Sequence, residues 1–592
     1  MKLKTKLLSS LVKVFPDGFN GESLFYATTM QNEPFSFQVA FKCDDNINGI
    51  EPLYVRVETD FDVNLISQYK VGYVPVTRAD FVDSDEFFER KTPGLYPDML
   101  IARKTNANIF DIADNGFFEE PRWTEEGQEC LLCAIKDSYQ TLWFTVNEDG
   151  KKINAGKYNI KVKFFSSKSN ECIGEESLEL EVVDSELPEQ SMYYTSWFHC
   201  DCLADTYGVE IFSERFFQIM RSFVTEAAKN GMNMIMLPGF TPALDTAAGK
   251  ERKTTQLVSV SLDNGNYSFD FSLMKKYIEL CRECGVKNFE HSHFFTQWGA
   301  KHTPKVMATV DGVYRRIFGW DTDSTSEEYA LFLKSYLKEL KVFLKEMDLE
   351  DKILFHISDE PNTDFLRYYE NAQKIVGEEL KGFMCGDALS HFEYYKNGSV
   401  KKPIVIVNSE EMEEFVNKCD DYWVYYTGGQ LTDGCSNRII ATTSARNRVI
   451  GLQMYVGGAK GFLHWGYNYY YDFLSHGLFN PVANPCGYNQ HAGTSFVVYP
   501  DIRGQAIPSL RMKVLYEGIN DYRALQKLES LIGREATMSF VKETLGNVGY
   551  KFCPSNSQMF EFRQKLNNEI LKNIKGEIQN AKLQFNCARK IG

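Results

Sequence analysis

Two acids stand side by side in the run Ile353-Leu354-Phe355-His356-Ile357-Ser358-Asp359-Glu360-Pro361. An apolar stretch of strand character ends in them, and Pro361, which lacks an N–H, stops the ladder just beyond. Adjacent carboxylates repel, and the repulsion is relieved when one of them holds a proton. A proton donor beside an anion is what cleavage of a glycosidic bond requires. The same tripeptide would also cap a following helix, since Asp, Glu and Pro are all frequent around helix N-termini. Its place at the end of an apolar strand favours chemistry. Neighbouring side chains of a regular strand point to opposite faces, so the strand must end or twist here for both acids to serve one pocket.

Retaining glycosidases commonly hold two carboxyls on different strands, about 5–5.5 Å apart. The strand expected to carry a nucleophile, Tyr422-Trp423-Val424-Tyr425-Tyr426-Thr427-Gly428-Gly429, contains no acid. Asp387 and Glu410, near other strand ends, stay open as nucleophiles of a conventional double displacement with Glu360 as the acid. The alternative is a substrate that brings its own nucleophile. A 2-acetamido sugar can attack its anomeric carbon through the amide oxygen, with Asp359 orienting and stabilising the amide N–H and Glu360 protonating the leaving oxygen. A third reading is a carbohydrate-binding protein without catalysis.

Sugars present apolar C–H faces, and their pockets carry flat aromatics with a few fixed polar groups. The chain has 7 Trp, 32 Tyr and 44 Phe, and the Tyr and Trp gather near the expected strand ends. In the densest run, Gly461-Phe462-Leu463-His464-Trp465-Gly466-Tyr467-Asn468, Trp465 and Tyr467 are expected on one face with Asn468 just beyond the strand. Tyr425, Tyr426, His293 and Trp197 are the further candidates for contact with the sugar. His199, His291 and His293 have no helical metal-ligand spacing, so no zinc site is expected. Cys200 and Cys202, flanking Asp201, are expected to be buried free thiols, and the two C-x-x-C pairs, Cys130/Cys133 and Cys281/Cys284, lack zinc-ribbon spacing.

The elements that must position these residues fall into three blocks. Residues 1–190 read as an antiparallel β-sandwich, from alternating runs such as Phe35–Phe41, Leu53–Val57, Thr141–Val146, Tyr158–Phe165 and Ser177–Val183. Leu187-Pro188-Glu189 ends that block. From Ser191 to Ser509, eight strand-like runs alternate with helices, the pattern of a (β/α)₈ barrel, which keeps its chemistry at the carboxy-terminal ends of the strands. Leu257–Phe269 interrupts it as an inserted hairpin turning on Asp263-Asn264-Gly265-Asn266. Residues 510–592 are helical and are expected to pack on the barrel. The chain is thus a multidomain β plus α/β protein, and 592 residues suit several domains at about 150 residues each.

A formal charge of −15 argues against a protein built to grip nucleic-acid backbones. No apolar run reaches the roughly 18 residues of a membrane-spanning helix. Lys13 breaks the apolar start and no small-x-small cleavage site follows, so the N-terminus reads as mature chain. Free thiols suit a reducing compartment, and the cytoplasm is the expected location.

Taken together these residues resemble glycoside hydrolase family 123, the β-N-acetylgalactosaminidases, over nearly the whole chain. Leu95-Tyr96-Pro97-Asp98-Met99-Leu100 and Leu142–Val146 with Ala155–Tyr158 are similar to the family's N-terminal domain, and Ser358–Pro361 to its catalytic Asp-Glu motif. Gly461–Asn468 resembles the segment that supplies aromatic pocket residues. The most specific match is Val498-Tyr499-Pro500 with Ile507–Arg511 and Tyr516-Glu517-Gly518-Ile519-Asn520-Asp521-Tyr522, in which Arg511, Glu517 and Asp521 read as structural pairs. The resemblance implies a retaining, substrate-assisted exo-β-N-acetylgalactosaminidase, with Asp359 as the stabiliser and Glu360 as the acid/base. It implies no metal or organic cofactor, and a substrate oligosaccharide or glycoconjugate ending in a 2-acetamido sugar.

Overall fold

The structure is a computed structural model. It describes residues 3–43, 50–79, 84–102, 122–124, 127–166, 169–361, 363–488 and 490–591; side chains are not described at 50–52, 122–124, 127–133, 363 and 577–591. Cys130 and Cys133 lie outside the described side chains. The chain divides into two compact units. The first comprises residues 1–190, 432–456 and 507–592; the second, residues 191–431 and 457–506. The C-terminal helices, expected on the barrel, instead group with the sandwich strands, as do residues 432–456.

In the first unit two sheets enclose one core. Lys4–Ser9, Phe35–Lys42, Gln140–Val146, Ile66–Val76 and Gly94–Ala102 lie in that order in a five-stranded antiparallel sheet. The second sheet runs Tyr26–Met30, Cys172–Val183, Gly156–Ser166, Ile50–Thr59, Gly127–Ile135, Arg122–Thr124, antiparallel but for the first pair. Alternation along each strand sends Phe37, Val39 and Phe41 of one sheet and Ile160, Val162 and Phe164 of the other into a shared core.

Buried arginines fasten the helices of this unit. Arg511 on helix Leu510–Ile532 grips Asp98 of the Gly94–Ala102 strand through two bonds of 2.9 Å, both residues being almost wholly buried. Arg448 holds Asp521 at 2.7 and 2.8 Å and Glu517 at 2.7 Å, while Arg563 reaches Asp521 at 2.9 Å and Glu33 at 2.6 Å. Burial pushes the Glu517 carboxyl up to about 7 although Arg448 pulls it down. Gly518 allows this approach: a Cβ there would come within 2.3 Å of the Arg448 carbonyl oxygen. The pairs expected from the Tyr516–Tyr522 motif are therefore structural.

The second unit is a closed barrel of eight parallel strands: β1 (Tyr193–Ser196), β2 (Met234–Leu237), β3 (Asn288–His291), β4 (Ile353–Phe355), β5 (Met384–Leu389), β6 (Lys402–Ile406), β7 (Trp423–Tyr425) and β8 (Gly461–His464), with β8 pairing back to β1. Runs such as Met234-Ile235-Met236-Leu237 are buried at every position, as strands covered on both faces must be. Met234, Met236, Leu354, Ile404, Trp423 and Leu463 share a core cluster with Trp197 and Tyr425. Crossover helices are cut by side-chain caps. Ser213 Oγ accepts the Phe216 N–H at the start of Glu214–Lys229, and Ser326 Oγ accepts the Tyr329 N–H at the start of Glu327–Glu346. The inserted hairpin is Ser259–Asp263 with Asn266–Asp270, turning where Asn264 and Gly265 take φ of 51° and 79°. A second hairpin, Val306–Val310 with Val313–Phe318, extends it to a four-stranded sheet that the sequence pattern did not disclose. No helix among the described residues is long and apolar enough to cross a membrane.

Replacing Arg511 by Ala strands Asp98 as a buried unpaired charge. The expected loss is about 3–5 kcal/mol of stability, read from the shift of the urea unfolding curve against wild type.

Candidate active site

Strand β4 is shorter than its apolar run. Ile357 gives its N–H to Asp387 Oδ1 at 2.9 Å instead of a ladder partner, which releases the chain two residues before the acids. Asp359 then keeps its carbonyl on the Trp298 N–H at 2.7 Å, and Glu360 donates its own N–H to the Ala388 carbonyl at 3.2 Å. Just beyond this doubly held peptide group Glu360 adopts a left-handed φ of 41°. That turn breaks the strand's alternation, so consecutive carboxyls face the same space. Both are only partly buried, at the carboxy-terminal end of β4. Glu360 Oε1 accepts the Tyr425 hydroxyl of β7 at 2.5 Å. Burial, followed by the charges of Glu360 and Asp245, holds Asp359 well above the usual carboxylate range.

Beneath the pair runs a buried polar floor. Thr195 of β1 donates to Glu290 of β3, and the other Glu290 oxygen meets His356 Nε2 at 3.0 Å. His356 Nδ1 stands 3.6 Å from Asp387, whose second oxygen takes the Tyr369 hydroxyl at 2.5 Å. Burial alone would drive the His356 imidazole down, but Asp387 and Glu290 on either side lift it to about 10. A cation is thus fixed between two anions under Asp359. His293, His356 and Asp387 bring ligand-type atoms within 4.8 Å of one another, the one such group found among the described residues. His356 and Asp387 already have the protein partners just given, so the group works as a charged floor.

The remaining sequence candidates separate by which side of the barrel wall they face. Tyr425 points inward and meets Glu360. Trp197 is buried in the interior cluster, edge-on to His293 at 5.3 Å, and the His293 ring lies flat over His356 at 4.5 Å. Among the described residues neither the Trp197 Nε1 nor either nitrogen of His293 has a partner. Trp465 is partly exposed, packs on the interior cluster and stands edge-on to Tyr469 at 5.1 Å. Three candidates do not line the mouth. Tyr426, the next residue after inward Tyr425, is buried against Phe462 and His464. Tyr467 is buried on Phe198 with its hydroxyl on the Phe223 carbonyl at 2.7 Å. Asn468 clips both backbone groups of His199, at 2.8 and 3.2 Å. The expected shared face of Trp465 and Tyr467 fails because Gly466 brings the chain so close to Ser495 that a Cβ would sit 2.2 Å from its carbonyl oxygen, and the alternation ends there.

Neither alternative nucleophile is available. Asp387 is buried and its oxygens are engaged in the floor, and Glu410 is exposed outside the cluster. His199 is held between the Trp465 carbonyl at 2.8 Å and Arg252 at 3.1 Å, and burial with Arg252 pushes its pKa down to about 3. Asp201 pairs twice with Arg252 at 2.6 Å, and Cys200 and Cys202 are buried free thiols. Cys281 and Cys284 are also free.

One acid near the pair has no counterpart among the sequence candidates. Asp245, in the loop after β2, takes a left-handed φ of 51°. Its backbone is clamped by Gln297 Oε1 at 2.8 Å on the N–H and by Ser475 Oγ at 2.7 Å and the Tyr469 hydroxyl at 3.2 Å on the carbonyl. Its charge is felt by both Asp359 and Tyr469. An isolated Asp in a long irregular loop has no periodicity or spacing by which sequence could single it out.

A closed parallel barrel that collects its acids at the carboxy-terminal mouth places this protein among the barrel hydrolases of the glycosidase kind. More than half of the chain, residues 197–528, matches the description "Glycoside hydrolase 123, catalytic domain", and the chain belongs to glycoside hydrolase family 123. Its substrates are therefore glycans. A solved structure of a family 123 glycoside hydrolase from Clostridium perfringens is similar over 99% of this chain and 100% of its own, with a TM-score of 0.69 at 14% identity, a likeness of fold. A Bacteroides uniformis β-glucuronidase (8% identity, 90% of this chain, 50% of that one, TM-score 0.29) and the CBM22-1–GH10 modules of a Clostridium thermocellum xylanase (9%, 88% and 94%, TM-score 0.30) are too distant to carry an argument. No curated protein sequence matches.

Glu360→Gly and Glu360→Ala both remove the carboxyl and the Tyr425 bond and differ only in their ease at φ 41°. The Gly variant is expected to be the more stable by roughly 0.5–1 kcal/mol, measured as the difference between their denaturant midpoints. His356 has a folded pKa of about 10 against an ordinary 6.5, so its contribution to stability is complete below about 6.5 and fades as pH rises through 10. The stability gap between wild type and His356→Gln is expected to narrow over that window, as followed by thermal melts at stepped pH.

Proposed function

We propose that the protein is a retaining exo-β-N-acetylgalactosaminidase that releases a terminal β-linked sugar by substrate-assisted catalysis. The observation that carries this reading is the tandem pair: Asp359 and Glu360 share one turn, and the facing strand offers Tyr425 where a double-displacement enzyme would place a carboxylate. The amide oxygen of the substrate attacks the anomeric carbon as the bond to the aglycone breaks, giving an oxazoline-type intermediate. The amide N–H donates to Asp359, and this hydrogen bond favours the Asp359 anion. The single proton of the pair then moves to Glu360, which delivers it to the leaving oxygen. Glu360 next takes a proton from the water that opens the intermediate, and two inversions retain the configuration. His356, cationic under Asp359, supports the anion as it forms.

The galactosamine preference rests on the family resemblance, and the similar Clostridium perfringens enzyme was analysed for hydrolysis of glycolipid glycans. A glycoconjugate with a terminal 2-acetamido sugar is the substrate proposed here. Conventional double displacement requires an ionised carboxylate at the anomeric carbon. Asp245 is the other carboxyl of the cluster, and burial together with Glu360 raises it to about 7, which makes it a poor nucleophile below neutrality.

The wild type is expected to release 4-nitrophenol from the aryl 2-acetamido-2-deoxy-β-galactoside. Asp359→Ala and Glu360→Ala are each expected to lose roughly 10²–10⁴-fold in kcat/KM. An N-trifluoroacetyl substrate that reacted as fast as the N-acetyl one, or a fluorosugar trapped covalently on the protein, would refute the amide as nucleophile.

A further inference from the structure

We propose that Asp245 is a substrate-binding carboxyl of this site, accepting hydrogen bonds from hydroxyls on the edge of the sugar away from the anomeric carbon. The argument begins with what Asp245 does not do. Its backbone N–H and carbonyl are held by Gln297, Ser475 and Tyr469, so its position in the loop does not depend on its side chain. Its carboxyl makes no hydrogen bond among the described residues, and Oδ2 is buried without a partner. A left-handed φ of 51° would be met as easily by Asn or Gly. No hydrogen bond of its carboxyl therefore holds the loop. The acid carries a desolvation cost, since a buried carboxyl without a donor is disfavoured. Such a group is explained by a donor that arrives with the ligand.

Its surroundings identify that donor. The loop after β2 and the Asp359–Glu360 turn after β4 leave the same end of the barrel, with only β3 between their strands. Asp245 is close enough to both acids for its charge to be felt by Asp359 and for Glu360 to raise its own pKa, while Arg252 opposes the rise. Tyr469, the aromatic that Trp465 meets edge-on, faces it from the β8 side. With the anomeric bond at Asp359 and Glu360, a sugar ring resting against Trp465 reaches Asp245 with its remote hydroxyls, and a carboxylate accepts two neighbouring O–H groups at once. Because burial and Glu360 bring Asp245 to about 7, the acceptor form gains population as pH rises through neutrality.

The proposal rests on the glycosidase site and not on the 2-acetamido reading. The test measures kcat/KM for wild type, Asp245→Asn and Asp245→Ala on an aryl glycoside that the wild type cleaves and on its 3-, 4- and 6-deoxy analogues. Absence of wild-type turnover on the 2-acetamido sugar, with turnover on another, counts against the proposed function alone, and the same comparison then runs on the sugar that is cleaved. Asp245→Ala is expected to lose roughly 10–100-fold on the parent and to equal the wild type on the analogue lacking the bonded hydroxyl. Asp245→Asn is expected to unfold no earlier than wild type and to lose an ionisation near neutrality from the pH profile of kcat/KM. Equal losses on every analogue, unchanged kinetics, or a covalent sugar on Asp245 would each overturn the assignment.

Discussion

The left-handed turn at Glu360 is the constraint on which the site depends. A strand cannot present two consecutive side chains to one face, and a single φ of 41° cancels that rule at the acid pair beyond β4. Such a conformation costs about 1–3 kcal/mol for a residue with a Cβ. The peptide group between Asp359 and Glu360 is held at both its ends, its carbonyl by the Trp298 N–H and its N–H by the Ala388 carbonyl, which fixes the chain as it enters the turn. The tyrosine on β7 then fixes the Glu360 carboxyl, and the site's geometry follows from a backbone held in a conformation it would not choose.

Charge placement beneath that turn decides where protons reside. Glu290, His356 and Asp387 span β3 to β5 as anion, cation and anion, closed at one end by Thr195 and at the other by Tyr369. The two acids on either side hold the imidazole in its charged form despite burial. Above it, Asp359 is raised by burial and by its acidic neighbours and lowered by His356. The balance holds the Asp359 carboxyl well above the usual carboxylate range.

The first unit explains why the strongest family signature lies outside the chemistry. Asp98 on a sandwich strand and Arg511 on a C-terminal helix are far apart in sequence and joined by a buried bidentate pair. Arg448, Glu517, Asp521, Arg563 and Glu33 form a second knot around Gly518. A knot of this kind tolerates little substitution, because removing one partner leaves a charge in a medium that cannot solvate it. The motif thus reports an architecture, while the candidate acid pair lies in the short run from His356 to Glu360.

Periodicity and local chemistry were legible without coordinates. Alternating strands of the sandwich, the βα rhythm of the barrel, the Asn264-Gly265 hairpin turn and the acid pair at the end of an apolar strand are each set by residues close together in sequence. Tertiary structure alone decided which side of a strand survives as a site wall. Tyr425 faces the acids and Tyr426 the outer packing, and Gly466 turns Tyr467 and Asn468 away from the face that alternation assigns them. It alone brought Asp245 to the mouth and placed the cation His356 under Asp359, because those neighbours come from loops and strands separated by tens of residues. Local sequence determines which conformations a segment favours; long-range packing determines which side chains meet, and catalysis depends on the meeting.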